Sequence, residues 1–423
     1  MIRDAEIENT IRQFAAPVFE AAGLDPMGVK IHIVNDKSLN AFVAGGQQLF
    51  INAGLLMRAD HAGQVIGVIA HETGHISGGH LARLNDALGD MSTQSIAALI
   101  VGAAAAVATG RPDVGFAVGA MGSDASMRGL LAFTRGQESA ADQAGATFLD
   151  NTGQSAKGML EFMEILSGQD LLVSARQDPY VRTHPLTVER VSFLRNHVEK
   201  SPNSNKKASP AFEEMHRRMR AKLFAFIESP ARTLSRYKES DQSIEGQLAR
   251  AVAYYRKPDI ENALPLINEL IAKYPKDAYI HELKGQMLFE HGRGGEALLA
   301  YREAVKHNPA PLIQISLAQV ELETNDDSLL ASAQSRLIEA LQVESANPFP
   351  WRLLAVAYGR ADNQAMTSYA MAEHATLAGK LSEAQHHADR ADKLLSPNSP
   401  YWLRVQDIKA ALVRAREREK LRR

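Results

Sequence analysis

Apolar residues recur with a helical period across residues 5–22, then alternate like a strand at residues 29–34 (VKIHIV), so an amphipathic helix is followed by a strand. A second strand is predicted at residues 48–52 (QLFIN). In the run GQVIGVIAHETGHISGGH at residues 63–80, Val65, Ile66, Val68 and Ile69 supply the apolar cover of a buried helix rather than of a solvated loop. An Ala-rich helical pattern runs from Glu138 to Leu149. Between these helices, residues 95–109 (SIAALIVGAAAAVAT) carry no charge, and a second apolar run at 114–121 follows the break GRPD. Neither reaches the roughly 20 residues that span a bilayer. Two expectations stand for this segment: a buried helical hairpin packed between its neighbours, or a flap that covers the site or makes peripheral contact with a membrane.

The pattern changes in the second half. Residues 199–210 (EKSPNSNKKASP) are polar and proline-flanked without periodicity, which predicts a linker, and a helix rich in Arg and Met follows. From about Ile244 the chain repeats itself. Pro275 and Pro309 stand 34 residues apart, and in that register Ala263 falls on Ala297, Ala251 on Gly285 and Ile267 on Tyr301. Small residues where two helices cross, with proline after the second helix, are marks of a tetratricopeptide repeat. Later repeats drift, although Trp351, Leu354, Ala355 and Tyr358 recover the first-helix pattern, and Ala384 and Ala391 the second. The division expected is residues 1–200 as one domain, 201–243 as linker and connector helix, and 244–423 as the repeat array. Such an array either buttresses the first domain or binds protein partners on its concave face.

Composition narrows the chemistry. A net charge of −2 gives no basic excess, so nucleic acid is not an expected partner. Cysteine is absent, which excludes disulfides and thiol catalysis and leaves the redox compartment open. Met1 leads straight into the polar stretch IRDAEIENTIRQ with no secretory signal. Either the chain is cytoplasmic, or it is a mature exported form without its leader.

Inside the apolar helix stand His71, Glu72 and His75, an H-E-x-x-H motif. Positions i and i+4 share a helix face, so both imidazoles can grip one Zn²⁺ while the carboxylate of Glu72 lies beside the attacking water as general base. That combination suits peptide hydrolysis. A catalytic zinc takes three protein ligands, so one more is needed. A histidine at position 81 would complete one known pattern, but Leu81 stands there and the histidine is His80. On a continuing helix His80 would point about half a turn away from His71, which suits a helix end or a place behind the ligands. The alternative pattern asks for a glutamate on a second helix with an acid one turn later. Glu138 and Asp142 supply it, Glu138 as ligand and Asp142 accepting a hydrogen bond from a ligating histidine. For the developing oxyanion, His184 or Arg190 is a candidate donor; His184 is also a candidate fourth ligand that shuts the site, or a simple turn residue.

N-A-F at 40–42, the G-G…G-L-L stretch at 45–56, HETGH followed by His80, E-S-A-A-D at 138–142 and T-H-P at 183–185 together resemble the HtpX/BepA group of gluzincin metallopeptidases. The resemblance spans about residues 5–200. It implies zinc held by His71, His75 and Glu138, Glu72 as catalytic base, and cleavage of proteins, often misfolded envelope proteins, hence a periplasmic location. Members of the HtpX type carry transmembrane helices; a catalytic domain followed by tetratricopeptide repeats is the BepA-like arrangement. The fold expected is therefore an α+β zincin-type metallopeptidase domain, mostly helical with a small sheet, followed by an all-α tetratricopeptide solenoid. In such enzymes a substrate strand pairs with a sheet edge, expected here within residues 41–52. The function expected is a zinc endopeptidase with a recruiting arm; the competing expectation is a chaperone-like scaffold whose peptidase site is latent.

Overall fold

The computed structural model describes residues 1–80, 82–83, 124–167, 180, 184–324 and 326–422. The chain forms two compact units, Met1–Ala249 and Arg250–Arg423. The apolar run at 95–121 and Thr183 lie outside the described residues, so neither expectation for that run is tested.

In the first unit, helix α1 (Ala5–Ala21) starts where the Asp4 side chain accepts from the Ile7 backbone N–H, and it buries Ile7, Ile11, Phe14 and Val18 along one stripe. Strands β1 (Lys30–Val34), β2 (Ala41–Ala44) and β3 (Gln48–Asn52) form a sheet in the order β1-β3-β2, with β1 parallel and β2 antiparallel to β3. Ile33, Ala41, Leu49 and Ile51 face the core, whereas His32, Phe50 and Phe42 stack across the three strands on the other face. The expected strand at 48–52 is thus central. Within residues 41–52 the edge strand is β2, which turns back through Gly45 and Gly46, both in the left-handed region at φ 56° and 91°.

Helix α2 (Ala53–Arg58) follows directly, and α3 (Ala62–Ser77) runs through the middle of the core with Val65, Ile66, Val68 and Ile69 buried. Two further helices, α4 (Asp124–Asn151) and α5 (Lys157–Ser167), lie against it. Both approach to backbone contact at glycines of α3. A Cβ on Gly67 would lie 2.5 Å from the Met159 nitrogen of α5, and one on Gly74 would lie 2.7 Å from the Ala141 carbonyl of α4. Helix α6 (Val188–Lys200) begins at Thr187, whose hydroxyl accepts from the Arg190 N–H. The region expected as linker and connector holds α7 (Pro210–Ile227) and α8 (Pro230–Arg236), each capped by a serine. Buried Lys222 and Arg218 of α7 pair with Glu6 at the start of α1.

Helix α9 (Ile244–Arg256) spans the boundary in sequence between the units. The described part of the second unit is otherwise helical, save one 3₁₀ turn: α10 (Ile260–Lys273), α11 (Ala278–Glu290), α12 (Gly294–His307), α13 (Pro311–Glu323), α14 (Leu330–Val343), α15 (Pro348–Arg360), α16 (Gln364–Leu377), α17 (Leu381–Leu394) and α18 (Pro400–Arg422). Each packs chiefly on its sequence neighbours. Ala263, Ala297, Ala384 and Ala391 are fully buried, and the space a Cβ on Gly285 would need is filled by the Tyr301 ring. No helix among the described residues is long and apolar enough to cross a membrane.

Candidate metal centre

His71 and His75 lie one turn apart on α3, with Glu72 between them, and all three are buried or nearly so. The close crossing at Gly74 brings α4 alongside, which sets Glu138 and Asp142 opposite the histidines. From beyond α5 the chain returns through Tyr180 to His184; the His184 N–H donates to the Tyr180 carbonyl at 2.7 Å, and the Tyr180 N–H donates to the Leu39 carbonyl at 3.2 Å. Tyr180 stacks against His184 with ring centroids 4.5 Å apart.

Donor atoms of His71, His75, Glu138 and His184 all lie within 4.8 Å of one another. His71 Nε2 is 3.1 Å from His75 Nε2, 3.3 Å from His184 Nδ1 and 3.4 Å from Glu138 Oε2. His75 Nε2 is 3.3 Å from Glu138 Oε1, and His184 Nδ1 is 3.1 Å from Glu138 Oε2. Four donors bonded at about 2.0–2.1 Å around a tetrahedral ion stand about 3.3 Å from one another. The five separations above are close to that size and the whole set lies within 4.8 Å, so these imidazole and carboxylate groups suit a small cation of zinc's dimensions.

The surroundings hold the set in place. His71 Nδ1 is 2.8 Å from Asp142 Oδ1, which leaves Nε2 for the cluster. Arg190 donates through Nε to Asp142 Oδ2 at 2.6 Å and through a terminal nitrogen to Asp142 Oδ1 at 2.9 Å; its other terminal nitrogen meets Glu138 Oε2 and the Pro185 carbonyl, each at 2.9 Å. The Arg190 guanidinium, expected as a candidate oxyanion donor, is engaged with two carboxylates and a carbonyl. What could have shown this from sequence is only that Arg190 lies in the first turn of α6; which acids it meets depends on tertiary packing.

Charges follow from these contacts. Burial acts to lower the His71 pKa, yet its hydrogen bonds to Asp142 and Glu138 outweigh burial and push it up to about 10. Burial brings His75 down to about 4, with His71 beside it adding to the effect. Burial opposes the charge on Glu138 and Asp142, but hydrogen bonds from His184, His71 and His75 on the one, and from Arg190 and His71 on the other, hold both below the usual carboxylate range. Burial raises Glu72. Neither Glu72 oxygen has a hydrogen-bond partner among the described residues, and Oε1 lies 3.4 Å from His184 Nε2. A fully buried carboxyl group without a hydrogen-bond partner is costly, and such a cost is most often found where chemistry uses the group. Its raised pKa suits a group that takes up and returns a proton.

Residues 2–198 match the description Peptidase family M48. The chain is 26% identical over 365 residues to the beta-barrel assembly-enhancing protease of Yersinia pestis, covering 84% of this chain and 72% of the relative. It is 25% identical over 371 residues to the protein of that name from Escherichia coli strain K12, covering 83% and 72%. A putative beta-barrel assembly-enhancing protease of Vibrio cholerae is 26% identical over 256 residues, 58% of this chain and 51% of the relative.

Proposed function

We propose, for a chain whose residues 2–198 belong to peptidase family M48, that this metallopeptidase is a zinc-dependent endopeptidase acting on protein substrates. The donor separations of 3.1–3.4 Å among His71, His75, Glu138 and His184 are the observation that carries the reading. His71, His75 and Glu138 hold the ion. Zinc, when bound, polarises the scissile carbonyl and acidifies water. Glu72 takes the proton of the attacking water and delivers it to the leaving amine, which its burial and raised pKa favour. Asp142 fixes the tautomer of His71, and Arg190 holds Asp142 and Glu138. The substrate backbone pairs with the edge strand β2, which accepts many sequences because main-chain hydrogen bonds carry the affinity.

Latency is a second reading, and one observation favours it. His184 offers Nδ1 to the ligand cluster and Nε2 to Glu72, so the same ring occupies a fourth ligand position and covers the base. We therefore assign His184 as a lock whose removal opens the site; its other role, oxyanion donor, would require the ring to swing away from the cluster first.

The names of the relatives concern β-barrel assembly, and such barrels belong to the bacterial envelope. Quality control of envelope proteins in the periplasm is the process we assign to this chain. The division proposed is a peptidase domain at 1–200, a linker and connector at 201–243, and a tetratricopeptide array at 244–423 that recruits protein partners or substrates; small buried residues at Ala263, Gly285 and Ala297 support the array. The decisive test is metal content with casein cleavage by wild type and Glu72→Gln. The variant should keep one zinc per chain and lose at least about 10²-fold in rate. Wild-type protein that binds no metal, or a variant that cleaves at the wild-type rate, would sink the assignment.

A further inference from the structure

Helix α3 ends at Ser77, so His80 is not carried half a turn past His71 as a continuing helix would carry it. Gly79, at φ 61°, turns the chain back, and His80 is only 5% exposed. Its Nδ1 lies 3.0 Å from Nδ1 of His75, with the two rings at 82° to each other. Gly78 makes room for this return, because a Cβ there would lie 2.4 Å from His80 Nε2. The turn is also tied to α4, where Gln137 donates its side-chain amide to the His80 carbonyl at 3.2 Å, next to Glu138 in sequence.

The tautomers follow from valence. His75 presents Nε2 to the donor cluster, 3.1 Å from His71 Nε2 and 3.3 Å from Glu138 Oε1. To ligate there, Nε2 must keep its lone pair, so the His75 proton sits on Nδ1. His80 Nδ1 must then accept that proton's hydrogen bond, and the His80 proton sits on its own Nε2. We propose that His80 is a positioning residue for the metal centre, holding His75 in the ligating tautomer and orientation as Asp142 holds His71. This inference rests on the metal-centre reading above. The two supports differ in charge for a reason the site makes plain. Glu72, Glu138 and Asp142 already place three carboxyl groups in one buried pocket. A neutral imidazole orients the second histidine without adding a fourth.

The test compares zinc affinity, by chelator competition, for wild type, His80→Asn, His80→Phe and His80→Ala. Asn places a carbonyl oxygen where Nδ1 stood; Phe keeps the bulk but cannot accept. His80→Phe and His80→Ala should weaken zinc by about 10–100-fold, the usual effect of losing the partner behind a ligand, while His80→Asn stays within about threefold of wild type. Nitrogen-15 spectra of the zinc-loaded wild type should show the His75 proton on Nδ1. If His80→Phe does not fold, the Asn and Ala pair still decides. Wild-type affinity in both His80→Phe and His80→Ala, or an Asn variant as weak as Ala, overturns the inference alone. A wild type that binds no zinc overturns it together with the metal-centre reading.

Discussion

His184 stands between the ligands and the base proposed above, touching Glu138 through Nδ1 and lying 3.4 Å from Glu72 through Nε2. Under the proposed mechanism a side chain in that place obstructs both the attacking water and Glu72. His184→Ala is therefore expected to raise basal casein cleavage several-fold at unchanged zinc content; a drop would assign the ring to oxyanion stabilisation instead. His71 yields a pH prediction. Its pKa in the metal-free protein is pushed up to about 10 by Asp142 and Glu138, so below that pH the ring carries a proton that ligation must expel. Zinc affinity should rise with pH by up to about tenfold per unit through the neutral range and flatten near pH 10, with about one proton released per zinc from this ring. Calorimetric titration in buffers of different ionisation enthalpy measures that release, and an affinity flat from pH 7 to 9 would contradict it. The H-E-x-x-H residues were legible from the sequence because i, i+4 spacing on an apolar helix is local information. His184 was legible only as a histidine in a turn, and the fate of Arg190 not at all, since both depend on which segments the fold brings together.

At the scale of elements, the centre depends on how closely α3 and α4 cross. Gly74 sits inside the H-E-x-x-H motif, and the Ala141 carbonyl occupies the place of its absent side chain. Gly74→Val should push the helices apart, cost about 1–3 kcal/mol of stability as overpacking does, and weaken zinc because Glu138 is withdrawn from His71 and His75. Thermal unfolding and metal titration would show both effects; a variant with wild-type affinity would mean that α4 is placed by other contacts. Arg190 tests the next support outward. Replacing it by Met leaves Glu138 and Asp142 buried without their shared cation, a loss on the order of 3–5 kcal/mol when a buried pair is broken. Zinc would offset part of this by neutralising Glu138, so the fall in melting temperature should be larger for metal-free than for zinc-loaded protein. The sequence also showed the apolar helix and two of the three strands, at 29–34 and 48–52. It did not separate the four residues of β2 from the loop around them, because so short an edge strand has no periodicity of its own, and Gly45 and Gly46 mark a turn without saying which side pairs.

The proposed function divides labour between the two units. The helical character of the second unit was legible because small residues recur 34 apart, and Ala263 and Ala297, which stand in that register, are fully buried. What the period could not reveal is where the array offers an apolar surface, since drifting repeats change the side chains that meet. Between α14, α15, α16 and α18 lies a cleft of about 250 Å³ lined by Leu341, Trp351, Tyr358, Met366, Tyr369 and Tyr401. Tyr401 is 45% exposed and Ile338, at its rim, 44%, so apolar and aromatic area is presented to solvent there rather than used in the core. If the array recruits substrates, the double variant Ile338→Ala/Tyr401→Ala should raise KM for an unfolded protein substrate by about five- to tenfold, the scale of a lost aromatic anchor. The kcat for that substrate should stay near wild type, because the catalytic groups are untouched. A short peptide that spans only the zinc site should be cleaved as by wild type, with kcat/KM unchanged. Equal losses on protein and peptide would point to damage to the fold instead, and unchanged kinetics on both would remove this cleft from substrate capture.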